Sequence, residues 1–379
     1  MDNNSLNISF TGDLSVTGIF HQKISDNKEI FTDEIKKLLS KKDYVICNLE
    51  GATTDACQNI VVKSPGNTIN YLSNRNIRVF NLANNHIFDC GINGFSDTVN
   101  KIEEYNSFYF GAGKNIHEAS NIVYLKNNYV IVALIGICDH SIKNASKSSE
   151  GVFSSRTFSL IKDKVIEAKQ KADYVVLNFH GGEEYTIYPS PEKRSYLKKL
   201  SSINELDIII GHHSHTFQGA ETVNNTLIFY SLGNFVFDIE NHRIYDYVNE
   251  SAILNMEFLK DKFSYCMTPI KIDYSSGSIK IHTDDFINHI DRISRFDRYY
   301  NKWIKDAYRV IYNRNITEQQ AVGNQLLRNQ SALRILFSIK TYKRILAILL
   351  DKNQRSVFLG AFYYKLINSL KMNYASKTT

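Results

Sequence analysis

The chain of 379 residues contains no run of about 18 apolar residues, so no segment of it is built to cross a bilayer as a helix. Its five cysteines, Cys47, Cys57, Cys90, Cys138 and Cys266, form no CxxC pair and no dense framework. That excludes a disulfide-stapled scaffold and leaves reduced, mostly buried thiols of a cytosolic protein as the expectation. No signal peptide is visible, because Met1-Asp2-Asn3-Asn4-Ser5 leads straight into a strand-like run. Internal repeats and low-complexity linkers are missing too. Proline does not occur after Asp291.

Charge is present but unevenly placed. The formal net charge is +6, and the composition, 43% hydrophobic and 22% charged, is that of a soluble globular protein. Residues 291–379 hold 17 of the 45 Lys and Arg but only 5 of the 39 Asp and Glu. Residues 1–290 are left with 28 basic against 34 acidic side chains. An acidic body of residues 1–290 and a basic region of residues 291–379 suggest two units with different partners.

Strand-like runs occur at Leu6–Thr11, Tyr44–Leu49, Val79–Ala83, Tyr129–Ile137, Tyr174–Phe179, Asp207–Ile210 and Leu227–Leu232. Helical patterns fall between them at Glu34–Ser40, Ile92–Glu104, Ser159–Ala172 and Lys193–Asn204. This alternation predicts an α/β architecture with buried, largely parallel strands. Ala252–Phe258, Ser264–Asp273 and Ser278–His282 read as a closing section of sheet. From Asp291 the pattern turns helical. Ile335, Ile339, Tyr342, Leu346 and Leu349 follow helical spacing, with Lys340, Lys343 and Arg344 on another arc. Two readings stay open: a helix packed on the body, or a basic amphipathic helix resting on an anionic membrane surface.

The chemistry-bearing residues gather at strand ends, where open α/β sheets place their sites. Phe10-Thr11-Gly12-Asp13 puts a carboxylate at a turn, and Asn48-Leu49-Glu50 ends the next strand. Ala83-Asn84-Asn85-His86, followed by Asp89 and Gly91, offers an amide, an imidazole and a carboxylate to orient it. Asn178-Phe179-His180-Gly181-Gly182-Glu183-Glu184-Tyr185 supplies another imidazole backed by a glycine pair. Gly211-His212-His213-Ser214-His215 aims two imidazoles at one point. Each cluster alone also has an ordinary reading as a cap, a turn or a satisfied core histidine. Their recurrence at successive strand ends, mixing oxygen and nitrogen donors, suits borderline divalent ions such as Mn, Fe or Zn. Two such ions would clamp the attacking and leaving oxygens of an in-line displacement.

In this order, Gly-Asp, Asn-Leu-Glu, Ala-Asn-Asn-His-x-x-Asp-x-Gly, His-x-Gly-x-Glu-Tyr, Gly-His-His-x-His-x-x-Gln and Tyr-Ser-Leu-Gly-Asn-Phe, the sequence resembles the CapA family. These are capsule or poly-γ-glutamate synthesis proteins, a branch of the calcineurin-like metallophosphoesterases. The resemblance runs from about Asn7 to Phe237 and implies a four-layer α/β/β/α metallophosphoesterase-like sandwich with a C-terminal helical extension. It implies that Asp13 and His215 bind one divalent ion and that Asn85, His180 and His213 bind a second. Glu50 would bridge the two. His86, with Asp89, would be the catalytic or substrate-contacting histidine. Two departures stand out: Ser15 occupies the place of the usual first-motif His, and the bridging residue is Glu50 rather than Asp. The N-terminal anchor that the resemblance also implies is not expected in this chain.

The expected activity is a metal-dependent hydrolase or transferase in the production of capsule, poly-γ-glutamate or cell-surface polysaccharide. Its substrate would be an anionic polymer or a lipid- or sugar-linked intermediate, attacked at a phosphoester or γ-glutamyl-type bond. Asn48, Glu183, Glu184 and Arg194 are the candidate substrate contacts. The alternative is a non-catalytic assembly factor of a synthase complex. The protein is expected in the cytoplasm, with the basic region touching the inner membrane surface. Nucleic acid is not an expected partner, because the acidic body repels phosphate backbones.

Overall fold

The computed structural model describes residues 4–139, 141, 143–283, 285–326 and 352–375. Its strands in chain order are β1 (Leu6–Leu14), β2 (Tyr44–Leu49), β3 (Ala52–Thr53), β4 (Lys63–Ser64), β5 (Ile77–Asn81) and β6 (Phe108–Phe110). Next come β7 (Ala112–Gly113), β8 (Val123–Lys126), β9 (Ile131–Cys138), β10 (Gly151–Val152), β11 (Tyr174–His180) and β12 (Ile208–His212). The last are β13 (Phe217–Val223), β14 (Thr226–Leu232), β15 (Asn234–Val236), β16 (Glu250–Phe258), β17 (Phe263–Asp273) and β18 (Ser278–Ile281). The helices are α1 (Ile19–Ser25), α2 (Asp33–Ser40), α3 (Thr68–Ser73), α4 (Gly91–Glu104) and α5 (Ile116–Ala119). They continue with α6 (Phe158–Lys169), α7 (Pro191–Leu200), α8 (Asp285–Ile293), α9 (Tyr299–Leu326) and α10 (Lys352–Ala375).

Two mixed sheets form the body. The larger has the order β18-β17-β16-β1-β2-β5-β6, with β15 pairing β1 off that path. The smaller has the order β13-β14-β12-β11-β9-β8. In the smaller sheet the central strands are parallel and antiparallel strands close both edges; in the larger, β1, β2, β5 and β6 run parallel and the antiparallel β16, β17 and β18 form the other side. Side-chain alternation along the strands sets the layers. Ile46 on β2, Val176 on β11, and Ile208 and Ile210 on β12 fill a core between the sheets. Their neighbours Val45, Cys47 and Leu49 face α1–α4, where Ile24, Leu39, Leu72 and Phe95 pack. Val175, Leu177 and Ile209 face α6 and α7 through Ile161, Val165 and Leu197. The result is the expected α/β/β/α sandwich.

The C-terminal helices do not stand apart. Phe286, Ile290 and Ile293 of α8, and Trp303, Ile304, Ala307 and Val310 of α9, join the same inter-sheet core, with Val357 of α10 beside them. Asp306 is buried and accepts hydrogen bonds from the backbone N–H groups of Ile187 and Tyr188 at 2.7 and 3.2 Å. The periodic stretch Ile335–Leu349, with Lys340, Lys343 and Arg344, lies outside the described residues. Among the described residues, no helix is long and apolar enough to cross a membrane.

Candidate metal centre

Strand alternation and one β-bulge bring the polar side chains together. Asn48, in step with Ile46, and His180, in step with Val176, project between the sheets at the C-terminal ends of β2 and β11. His212 follows the same rule on β12. Asp13 gets there differently. Phe10 pairs with Ile46 and Asp13 with Asn48, so β1 spends one extra residue between them. Bulges re-aim the side chains that follow. Phe10 belongs to the inter-sheet core, whereas Leu14 faces the helices, and Asp13 is thereby turned inward. Gly12 sits in this bulge, where a Cβ would stand 1.8 Å from the Gly233 carbonyl oxygen. Beyond β12, His213 and His215 adopt left-handed φ of 87° and 58°, a conformation costly for non-glycine residues and concentrated at functional sites.

Glu50 lies at the centre. It belongs to two groups of ligand atoms, Glu50/His180/His213 and Asp13/Glu50/His215, with the atoms of each group within 4.8 Å of one another. In the first, His180 Nε2 lies 3.1 Å from His213 Nδ1 and 2.7 Å from Asn85 Oδ1. In the second, His215 Nδ1 lies 3.6 Å from Asp13 Oδ2, and its Nε2 lies 4.0 Å from Glu50 Oε1. The other ring contacts orient these groups. Asn48 donates to Asp13 Oδ1 at 2.8 Å, lies 3.0 Å from His180 Nδ1, and accepts from Asn81 at 2.8 Å. Asn234 Oδ1 lies 3.0 Å from His215 Nδ1. The His213 N–H donates to Asp13 Oδ2 at 3.1 Å.

The knot is rich in acceptors and poor in donors. Both Glu50 carboxylate oxygens are buried, and neither receives a hydrogen bond among the described residues. Burial, then the nearby charges of Asp13, Glu184 and Asp89, push the Glu50 carboxyl well above its ordinary range. Burial also favours the protonated form of Asp13, but the surrounding imidazoles, His212 foremost, outweigh it and hold that carboxyl low. Burial and neighbouring imidazoles push His180 well below the usual histidine range, and burial followed by His215 does the same to His213. Neutral imidazoles gathered around a buried carboxyl group that receives no hydrogen bond among the described residues form a donor set that a divalent cation can complete. The donor set fits the divalent ions expected from the sequence.

The remaining predicted residues separate into two groups. His86 and Asp89 stay partly exposed at the mouth: His86 Nδ1 lies 2.7 Å from Asp89 Oδ2, and its Nε2 lies 3.8 Å from Glu50 Oε1. Glu184 is half-buried nearby. Three expected substrate contacts are engaged elsewhere. Asn48 is fully buried, with its amide committed to Asp13 and Asn81, so it does not meet solvent. Glu183 is buried behind the site, accepting from the Ser190 N–H at 2.7 Å and from Gln218 at 3.0 Å. Arg194 forms a bidentate pair with Glu221 at 2.7 and 2.9 Å and stacks on Phe296 and Tyr299.

Sequence reasoning passes over four other side chains. His212 Nδ1 lies 3.4 Å from Asp13 Oδ1; the doubled histidine is visible in the sequence, but not which of the two faces inward. His242, whose ring lies 5.6 Å from that of His215, has a pKa lowered to about 3 by burial and by His215 and His86. Tyr185 and Tyr245 stack face to face at 3.9 Å, and Tyr185 lies 5.9 Å from His215. Tyr185 stands inside a recognised motif, whereas His242 and Tyr245 carry no spacing signal.

Fold and site together define an α/β/β/α protein with a buried carboxylate–imidazole cluster compatible with divalent cations. Residues 7–239 match the family described as bacterial capsule synthesis protein PGA_cap. The chain belongs to that family. It is 34% identical over 244 residues to the PGA biosynthesis protein CapA of Bacillus subtilis (strain 168), covering 62% of this chain and 63% of that protein. It is also 34% identical over 260 residues to the capsule biosynthesis protein CapA of Bacillus anthracis, covering 65% of this chain and 62% of that protein. The match thus spans less than two thirds of either relative. Among solved structures, a hypothetical protein from Thermus thermophilus aligns with a TM-score of 0.43 at 12% identity, covering 73% of this chain and 100% of that chain.

Proposed function

We propose that this protein is a metal-dependent hydrolase or transferase acting in capsule or poly-γ-glutamate synthesis, with Glu50 shared by the two residue groups that would hold divalent ions. The observation that carries the reading is the pair of ligand groups sharing Glu50, whose two oxygens are buried without a hydrogen-bond donor among the described residues. Asp13 and His215 would hold one ion, and Asn85, His180 and His213 would hold the other. Bound divalent ions supply Lewis acidity and a water that ionises near neutral pH.

The chain's own groups do the rest. Asn48 and the His213 N–H fix the Asp13 carboxylate, and Asn234 fixes the His215 ring. His86, held by Asp89 at the open side of the cluster, delivers a proton to the leaving oxygen or nitrogen. The names of the two Bacillus relatives place them in capsule or PGA biosynthesis, which supports the same setting here. The bond attacked is a phosphoester or a γ-glutamyl-type amide, since the same ligand set activates water for either.

The test is elemental analysis of protein purified without chelator or affinity-metal carryover, beside a His213→Ala/His215→Ala variant. About two ions per chain are expected, and the variant should lose them. A protein that takes up no Mn, Fe or Zn sinks the hydrolase reading. It would favour instead an assembly factor within a synthase complex, a role to which Ser15 in place of the first-motif His lends support.

A further inference from the structure

Helices α8, α9 and α10, with the loops after β11 and before β16, border a cavity of about 570 Å³, within the size range of small-molecule sites. Tyrosines dominate its lining. Tyr188 is buried there, and Tyr247, Tyr308, Tyr312 and Tyr364 supply further ring surface. Tyr308 contacts both Tyr312 and Tyr364, with ring centroids 6.1 and 5.1 Å away. Tyr247 is held at a left-handed φ of 67°, its ring centroid 4.5 Å from that of His289 and 5.8 Å from the Arg309 guanidinium. Backbone strain of this kind in a non-glycine residue concentrates at functional sites. Each tyrosine combines an apolar ring face with a hydroxyl. A sugar presents the matching pair, apolar C–H faces and hydroxyls.

Cations outnumber carboxylates around this cavity. The lining carboxylates Asp246 and Asp306 are both engaged by Arg309, at 2.9 and 2.8 Å. Arg292, Lys302 and Lys305 add three further positive charges to the lining. Lys302 pairs with the exposed Asp297 at 3.0 Å, and Lys305 is exposed on α9. Arg292 donates to His289 Nδ1 at 2.8 Å. Burial and then Arg292 lower the His289 pKa to about 4, so this arginine leans on a neutral imidazole rather than on a carboxylate. Positive charge beside ring faces favours an anionic ligand, and guanidinium and ammonium groups are the usual partners of phosphate and carboxylate. Ile187 and Tyr188 lie within residues 7–239, the stretch shared with the family, whereas Asp246, Tyr247 and the three helices lie beyond it.

We propose that this cavity binds an anionic saccharide, its sugar ring laid on the tyrosines and its phosphate or carboxylate met by Arg292, Lys302 and Lys305. The site is separate from the metal cluster but shares a wall with it. Arg309 lines the cavity and donates to the Tyr185 carbonyl oxygen at 2.9 Å, and the Tyr185 ring lies 5.9 Å from that of His215. Binding in the cavity needs no metal ion, so it stands whether or not the cluster is a hydrolase centre. The C-terminal helices thereby add sugar recognition to the shared fold.

The experiment is calorimetric titration of the full chain with glucose 1-phosphate, glucuronate, glucose and inorganic phosphate. Chelator is present throughout, so that the metal centre takes no part. At least one of the two anionic sugars should bind, and the one that binds more tightly identifies phosphate or carboxylate as the group recognised. Glucose and inorganic phosphate should bind more weakly by about tenfold or more. Lys305→Glu should weaken the anionic sugar by about tenfold, and Tyr312→Ala by about threefold to tenfold. Both side chains are exposed, so melting temperature should hold in each variant. Wild type that binds neither anionic sugar overturns the proposal, as does binding that either substitution leaves unchanged. Glucose bound as tightly as the anionic sugars would remove the role of the cations. Inorganic phosphate bound as tightly as glucose 1-phosphate would remove that of the tyrosines, and either result overturns the saccharide site.

Discussion

His86 Nδ1 lies 2.7 Å from Asp89 Oδ2, three residues further along the same loop, and this leaves Nε2 as the nitrogen turned toward Glu50. The carboxylate fixes both ring orientation and tautomer, which is what a proton-transferring histidine needs. Asp89→Asn keeps the shape of the partner but removes its charge. If His86 moves a proton in the rate-limiting step, kcat should fall by about 10²-fold or more while metal stoichiometry and KM hold. A variant with unchanged kcat would leave His86 no role in proton transfer.

Gly12 owes its identity to the approach of Gly233, whose carbonyl oxygen would lie 1.8 Å from any Cβ placed there. The bulge at that point also turns Asp13 into the cluster. Gly12→Ala should therefore cost about 1–3 kcal/mol in urea unfolding, as overpacking does, and should weaken metal uptake at the same time. Loss of stability with full metal content would mean that the bulge and the ligand geometry are independent.

Much of this arrangement is visible in the sequence because alternation along a strand is a local rule. Once Val45, Ile46 and Cys47 are read as a strand buried on both faces, the side on which Asn48 falls is determined. The bulge is not visible, since Gly12-Asp13 reads equally well as a plain turn and the extra residue appears only against β2. Strand β13 escapes a sequence reading for a related reason. It exists through its hairpin with β14, closed by Asn224 and Asn225 at left-handed φ of 50° and 68°. Glu183 and Arg194 look like substrate contacts in the sequence because charge near a motif suggests a pocket. Their partners, Gln218 and Glu221, lie on that same hidden strand.

The docking of α9 makes a prediction that one intrinsic probe can report. Trp303 is the single tryptophan of the chain and is 2% exposed within the inter-sheet core. Unfolding followed by its fluorescence should coincide with unfolding followed by far-UV circular dichroism, because helix and body share one core. Asp306→Ala should destabilise that transition by about 2–5 kcal/mol, since it leaves two backbone N–H groups without their acceptor and Arg309 with Asp246 as its remaining carboxylate partner. A fluorescence change at lower denaturant than the dichroic one would show that α9 leaves the body first.

Glu29 gives the fold a pH dependence remote from the metal centre. Burial favours its neutral form, but hydrogen bonds from Arg75, Tyr71 and the Phe31 N–H outweigh that and lower its pKa from 4.5 to about 2. A depressed carboxylate stabilises the folded state fully above the unfolded pKa, and the contribution fades as pH falls through the folded one. Glu29→Gln should therefore be less stable than wild type at about pH 6, with the gap closing steadily below about pH 4.5. Urea midpoints for both proteins across this range check the sign. A gap that stays constant or widens on acidification would mean that Arg75 and Tyr71 stabilise the neutral acid as well as they do the carboxylate.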